Sequence, residues 1–168
     1  MSTAMFPKEI TVNDLLANIN RSKKRRYHAF AVADAHVQID TVRRGIPANF
    51  LSKLSADMHV SKEQLFDWTN IPRATANRKI AADSSLSVEE SERAFSVAKL
   101  IGQAATMVGD AHAADGAAPF DAATWTAQWL QEPNNALGGV APGDYLDTAE
   151  GRALVAQLLA QMQSGAYA

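Results

Sequence analysis

The residues best suited to chemistry sit in one short run: Arg73, Thr75, Asn77, Arg78 and Lys79. Their chemistry is recognition through hydrogen bonds. An arginine fork matches the two acceptors of guanine, an asparagine amide pairs with adenine, and a threonine or alanine methyl can touch a thymine methyl. Spacing decides whether they act together. On a helix that begins after Pro72, Ala76 and Ile80 fall at i and i+4 and can face a core. Arg78, flanked by Thr75 and Asn77, then points the other way, with Arg73 and Lys79 at the margins. Small residues and polar donors on an outer face are what a helix in the DNA major groove needs. The competing reading is a helix used only for packing or dimerisation, in which case Arg78 reads nothing.

Covalent chemistry finds no comparable set. The histidines are His28, His36, His59 and His112; none pairs at i and i+4, and no H-E-x-x-H occurs. Asp34 and His36 make a single acid–imidazole pair, which is more often a surface coincidence than a metal site. Ser84 and Ser85 have no evident base. Glu89, Glu90 and Glu92 are better explained as charges at a helix start than as an acid–base pair. Gly138-Gly139 lacks the strand and basic residue that a phosphate loop uses. No catalytic residue, metal site or cofactor is therefore expected, and the chain reads as a binding protein, not an enzyme.

Composition narrows the class of partner. The chain has 168 residues, 47% of them hydrophobic, and no cysteine. That length supports one good core or two small helical units sharing one. Lack of cysteine fits a reducing cytoplasm, no apolar stretch reads as a signal peptide or membrane span, and a cytoplasmic location is expected. The net charge of −2 hides an asymmetry: residues 1–80 carry 13 Lys/Arg against 7 Asp/Glu, while residues 81–168 carry 3 against 11. A basic half suits nucleic acid, and an acidic half suits a protein. Arg21, Lys23, Lys24, Arg25 and Arg26 form the densest cationic run; it reads either as a phosphate-contacting arm or as a solvated helix face.

The elements that must position these residues read as helices. Phe50, Leu51 and Leu54 give an amphipathic face after Pro47, Ser61 to Gln64 forms a capping box, and Leu65, Phe66 and Trp68 follow. Asn70, Ile71 and Pro72 make a tight turn, and a helix runs from Arg73 to about Ala82. Upstream, Thr11 and Asp14 start a short helix and Tyr27 to His36 is helix-prone. Val37, Ile39 and Thr41 alternate with polar residues, which predicts a short strand or extended link ending at Gly45. Downstream, a capping box at Ser87 to Glu90 opens a long helix from Val88 to about Met107, ended by Gly109 and Asp110. Ala111 to Pro119 reads as a loop. Asp121 caps a helix carrying Trp125 and Trp129 on one face; Pro133 ends it. Asn134, Asn135, Gly138 and Gly139 make turns, Pro142 starts a short helix with Tyr145 and Leu146, and Thr148 caps a last helix to Ser164 with Gly165 as its C-cap. Its stripe is Leu154, Val155, Leu158, Leu159 and Met162; its other face offers Gln157, Gln161 and Gln163, and no charged side chain follows Arg152. The expected class is all-α, in three segments: an N-terminal helical and extended arm (1–45), a helix-turn-helix region (46–83) and a small helical domain (84–168).

Two stretches resemble a known family. The order Trp129, Leu130, Pro133, Asn134, Ala136, Leu137, Gly138, Gly139, Pro142, then Thr148 and Gly151, is similar to the C-terminal toxin-binding domain of the Xre/MbcA/ParS antitoxins. The middle region resembles the Xre-type helix-turn-helix; where that family usually shows T-x-x-R-R, this chain has Thr75, Arg78 and Lys79. Lysine keeps the charge but lacks the fork, so phosphate contact is the expectation at Lys79. The resemblance implies an antitoxin that neutralises a RES-domain, NAD-degrading toxin and represses its own operon by binding operator DNA; a homodimer is expected, because two half-sites one helical turn apart give an affinity that a single helix does not. The stretch itself reads as a shaped apolar surface with rigid turns, and toxin contacts are expected on its residues Asn134, Asn135, Leu137, Gly138 and Gly139. To these the uncharged carboxy end adds Gln161, Tyr167 and the Ala168 carboxylate, which could enter an anion pocket. The alternative is a stand-alone helix-turn-helix transcriptional regulator without a toxin.

Overall fold

The computed structural model describes residues 9–108 and 118–165, and within them the chain is helical. The α-helices are α1 Val12–Asn18, α2 Lys23–Val32, α3 Ala35–Arg44, α4 Asn49–Met58, α5 Lys62–Thr69, α6 Arg73–Ala81, α7 Val88–Val108, α8 Ala122–Gln131 and α9 Ala149–Ser164. Two 3-10 turns, Asn135–Leu137 and Pro142–Tyr145, join α8 to α9. The expected ends at Gly109 and Asp110 and most of the loop from Ala111 to Pro119 lie outside the described residues. No helix among those described is long and apolar enough to cross a membrane.

Local chemistry explains most boundaries. Thr11 and Asp14 form a reciprocal capping box at α1, and Ser87 and Glu90 form another at α7, with Ser87 N–H donating to Glu90 Oε2 at 2.8 Å. Ser61 accepts the Gln64 amide at 3.1 Å. Asp121 accepts from Thr124 and Thr148 from Gly151. Each side chain satisfies an amide that a helix start leaves open. Gly165 ends α9 with a left-handed φ of 68°.

α7 is the spine. Helices α2, α3, α5, α8 and α9 all pack on it, and its buried residues include Ala94, Phe95, Val97, Ala98, Ile101 and Gly102. Phe30 of α2 stacks on Phe50 of α4 at 5.2 Å and meets Phe95 of α7 edge-on at 4.9 Å. At Gly102 the α2 backbone comes so close that a Cβ would lie 2.3 Å from the Tyr27 carbonyl oxygen.

Residues 9–45 depart from an arm with an extended link. The stretch with Val37, Ile39 and Thr41 is helix α3, capped by Asp34, whose carboxylate accepts the Val37 amide at 2.9 Å. Thr41 and Val42 are buried and Val37 packs against the core, a helical spacing of four and five, while Ile39 is left 45% exposed. Asp34 and Ala33 also split the expected Tyr27–His36 helix in two. The cationic run starts α2 and is partly consumed by the fold. Lys23 pairs with Asp121 at 2.7 Å, and Arg26 with Asp57, which also accepts the Tyr27 hydroxyl at 2.6 Å. Burial, and then the hydrogen bond to Asp57, push the Tyr27 phenol far above its ordinary value. Arg21, Lys24 and Arg25 remain exposed.

Candidate functional site

Two surfaces carry the candidate residues. The first is α6. It follows α5 through a turn in which Asn70 takes the left-handed conformation (φ 49°) and Ile71 is buried. That turn sets α5 and α6 as the two helices of a helix-turn-helix. The unit is closed at its base by short backbone bonds, Leu86 N–H to the Ile46 carbonyl at 2.8 Å and Ala48 N–H to the Ser84 carbonyl at 2.9 Å. Gly45 is needed there: its φ is +89°, and a Cβ would sit 2.9 Å from the Leu86 carbonyl oxygen.

On α6, Ala76 is fully buried and Ile80 half-buried against the core, while Arg73, Asn77 and Arg78 are exposed and Thr75 is half-buried. Arg73, Ala74, Asn77, Arg78 and Ala81 thus form one continuous outer strip at helical spacing. Two guanidiniums, one amide and small side chains give a surface that can enter a groove and hydrogen-bond within it. Lys79 does not join this strip. Its ammonium turns to α7 and pairs with Glu90 at 2.6 Å, with side chains 20% and 13% exposed. Burial pushes the Glu90 carboxyl up, but bonds from Lys79 and Ser87 outweigh it and hold it below the ordinary carboxylate value.

The second surface runs from α8 to α9. Phe120, Trp125 and Trp129 form a ladder, with ring centroids 6.2 and 5.9 Å apart and the two tryptophans nearly parallel. Trp129 is buried and Trp125 packs against the core, so the pair is chiefly structural. Beyond Pro133 the chain makes a small closed loop. Asn134 N–H donates to the Val140 carbonyl at 3.1 Å, Gly139 N–H to the Asn134 carbonyl at 2.9 Å, and the Asn134 side chain accepts the Ala136 amide at 2.9 Å. Gly138 and Gly139 have φ of +67° and +86° and nothing within 4 Å of a would-be Cβ. The loop is therefore self-bonded, glycine-dependent and open to solvent, with Asn135 exposed and Leu137 half-buried.

The loop is held from below. Gly143 lies against the Trp68 indole of α5, where a Cβ would be 2.5 Å from Nε1; at Gly151 one would be 1.8 Å from the Tyr145 carbonyl oxygen. Sequence reasoning missed the first of these contacts, since a glycine next to Pro142 carries no sign of a distant indole. On α9, Val155, Leu158 and Leu159 are buried, but Leu154, expected on the same stripe, is 42% exposed. Leu154 precedes the buried row by one residue, about 100° around the helix from Val155. It joins Ala153, Gln157, Ala160 and Gln161 on an exposed face whose one charge is Glu150 in the first turn of the helix. Tyr167 and Ala168 lie outside the described residues. Neither surface holds a constellation for catalysis, and among the described residues no three His, Asp or Glu gather as metal ligands.

Comparison with known proteins divides the chain at the same two surfaces. Residues 37–99 match the antitoxin Xre-like helix-turn-helix domain. Residues 103–165 match the antitoxin Xre/MbcA/ParS C-terminal toxin-binding domain. A protein of Sphingobium sp. (strain YBL2) named Prs ADP-ribosylating antitoxin is 44% identical over 142 residues, covering 84% of this chain and 87% of that protein. Antitoxin Xre of Pseudomonas putida KT2440 is 28% identical over 124 residues, covering 72% of this chain and 67% of its own length. The α6 strip falls inside the first matched range, and the loop and α9 face inside the second.

Proposed function

The chain belongs to the Xre/MbcA/ParS antitoxin family, and on that premise we propose that it covers the active site of a RES-domain, NAD-degrading toxin and represses its own operon by binding operator DNA as a homodimer. The family role is non-enzymatic and its partner class is a toxin protein. The observation that carries the toxin half is the exposed face of α9 beyond Glu150, uncharged from Ala153 onward, with Leu154 and Gln161 exposed, in the same matched region as the self-bonded glycine loop. Such a face loses water without stripping ions, so a partner can bury it at low cost. A rigid loop adds contacts without paying for ordering. We assign toxin contacts to Asn134, Asn135, Leu137, Gly138, Gly139 and Gln161, with Tyr167 and Ala168 beside them. The test is co-expression with the toxin encoded beside it, followed by truncation after Gly165. Full-length chain should co-purify stoichiometrically and stop NAD loss. A truncated chain that binds equally and still blocks NAD loss removes Tyr167 and Ala168 from the contact set.

The chemistry named in the Sphingobium relative, ADP-ribosylation, favours a second version of the same reading. The toxin would then transfer ADP-ribose from NAD to a protein instead of only breaking NAD down. Free ADP-ribose from the released toxin supports degradation, and ADP-ribose on protein supports transfer.

For the DNA half we assign base reading to Arg78 and Asn77, with Arg73 and Thr75 beside them. Two copies on half-sites one helical turn apart supply affinity that a single short helix lacks. Arg78→Ala should cost roughly 1–3 kcal/mol and relax preference at one base. An unchanged DNA shift would make α6 a packing helix.

A further inference from the structure

We infer that Lys79 is a strut and not a DNA contact, and that Glu90, which lies off the outer strip of α6, is a positioning residue for the recognition helix. The inference rests on the DNA-binding reading above.

α6 is lightly held, with buried Ala76 and half-buried Ile80 as its apolar contacts with the core. It is nine residues long, its N-cap Pro72 makes no side-chain capping bond, and its one fully buried residue is an alanine. A helix that short is marginal alone, and a buried methyl contributes little packing. Reading bases needs side chains placed to within about half an ångström, so a polar tie that adds to the packing of Ala76 and Ile80 helps to fix the helix. The fixed point is the first turn of α7. There, Glu90 Oε2 accepts Ser87 N–H at 2.8 Å and Lys79 Nζ at 2.6 Å, so it is oriented by its own capping box before it meets the lysine. The next residue, buried Ser91, accepts the Ile46 amide at 2.9 Å, which anchors the opposite end of the helix-turn-helix unit. On the α6 side, the Lys79 carbonyl accepts the Ser84 amide at 3.0 Å, so the lysine is held at backbone and side chain. The carboxylate is ionised near neutral pH, and the helix N-terminus favours it further.

Lys79→Met and Glu90→Gln separate a strut from a phosphate contact. Methionine removes the ammonium and leaves the α7 cap intact. Glutamine keeps an acceptor for Ser87 and removes the charge facing Lys79. Full-length variants are titrated, across a salt series, against a duplex that the wild-type chain enriches from a random library. A strut requires both variants to bind roughly three- to tenfold more weakly with the salt slope unchanged, and the double variant to lose no more than either single one. A phosphate contact gives the reverse: Lys79→Met lowers the salt slope by about 0.9, and Glu90→Gln frees the lysine and tightens binding. That reverse pattern overturns the inference. A second readout needs no DNA. Amide exchange in the free protein should speed up across residues 76–82 in both variants and stay unchanged in α9; unchanged exchange across residues 76–82 also overturns it. If the wild-type chain enriches no duplex, the DNA reading fails by itself, and amide exchange still decides the strut.

Discussion

At the scale of single residues, glycines separate into two kinds that look identical in the sequence. Gly151 is needed for room, because a Cβ would lie 1.8 Å from a carbonyl oxygen of the preceding 3-10 turn. Gly138 is needed for conformation, with φ +67° and open space around it. Gly151→Ala should therefore lose roughly 3 kcal/mol of stability in denaturant unfolding, since backbone must shift. Gly138→Ala should lose only about 1 kcal/mol, the cost of a left-handed alanine. Under the toxin-binding reading, Gly138→Ala should also weaken toxin capture in a chain that remains folded. Equal losses of stability would mean that the crowding at Gly151 relaxes for free. Residue types made the loop legible, because asparagine and glycine mark left-handed turns. They did not show Gly143 against Trp68, or Lys79 turned back onto Glu90, because such contacts join elements far apart in the chain.

At the scale of elements, the helix starts were the most readable feature and α3 the least. Thr11, Ser61, Ser87, Asp121 and Thr148 all precede helices, whereas Asp34, the cap of α3, falls inside the helix expected from Tyr27 to His36. Alternation in Val37, Ile39 and Thr41 pointed to extended chain, but Val37, Thr41 and Val42 also fit a helical face, and burial of Thr41 and Val42 on that spacing decided it. The Thr41 hydroxyl is satisfied inside the helix by the Val37 carbonyl at 2.7 Å, so burying it leaves no open polar group. Acid should weaken two helix starts. Glu90 caps α7 and Asp121 caps α8; for both, burial raises the carboxyl and the lysine and amide bonds lower it more. A carboxylate held below its ordinary value adds stability that is complete above that value and is lost as pH falls through the depressed one. With ordinary values of 4.5 and 3.8, the melting temperature should decline below about pH 4.5 from these two sites. In Glu90→Gln that decline should be shallower in thermal melts run across acid pH. An identical slope would place the acid sensitivity elsewhere.

At the scale of the molecule, residues 9–33 are part of the body. Leu15, Ile19, Tyr27 and Phe30 are buried, and the Phe30 ring joins α4 to α7. Arg26 and Tyr27 both reach Asp57 of α4 across the same seam. Deleting residues 1–33 should therefore unfold the helix-turn-helix, or lower its melting temperature steeply, as followed by circular dichroism. A truncated chain that melts like the full one would return this segment to the status of an arm. The sequence could not reveal this, because short alanine-rich helices beside a run of cations look like a tail until their few large apolar residues are seen to meet.

The two matched family segments meet within α7, one ending at residue 99 and the other beginning at residue 103. Heredity therefore cannot exchange the two halves as separable cassettes joined by a tether. A recombinant spliced between relatives must cross inside a continuous rod, where one inserted residue swings everything downstream by about 100°. It must also keep Gly102, where the α2 backbone leaves no space. Viable hybrids between such proteins should preserve the phase of that rod even where their ends have diverged beyond alignment.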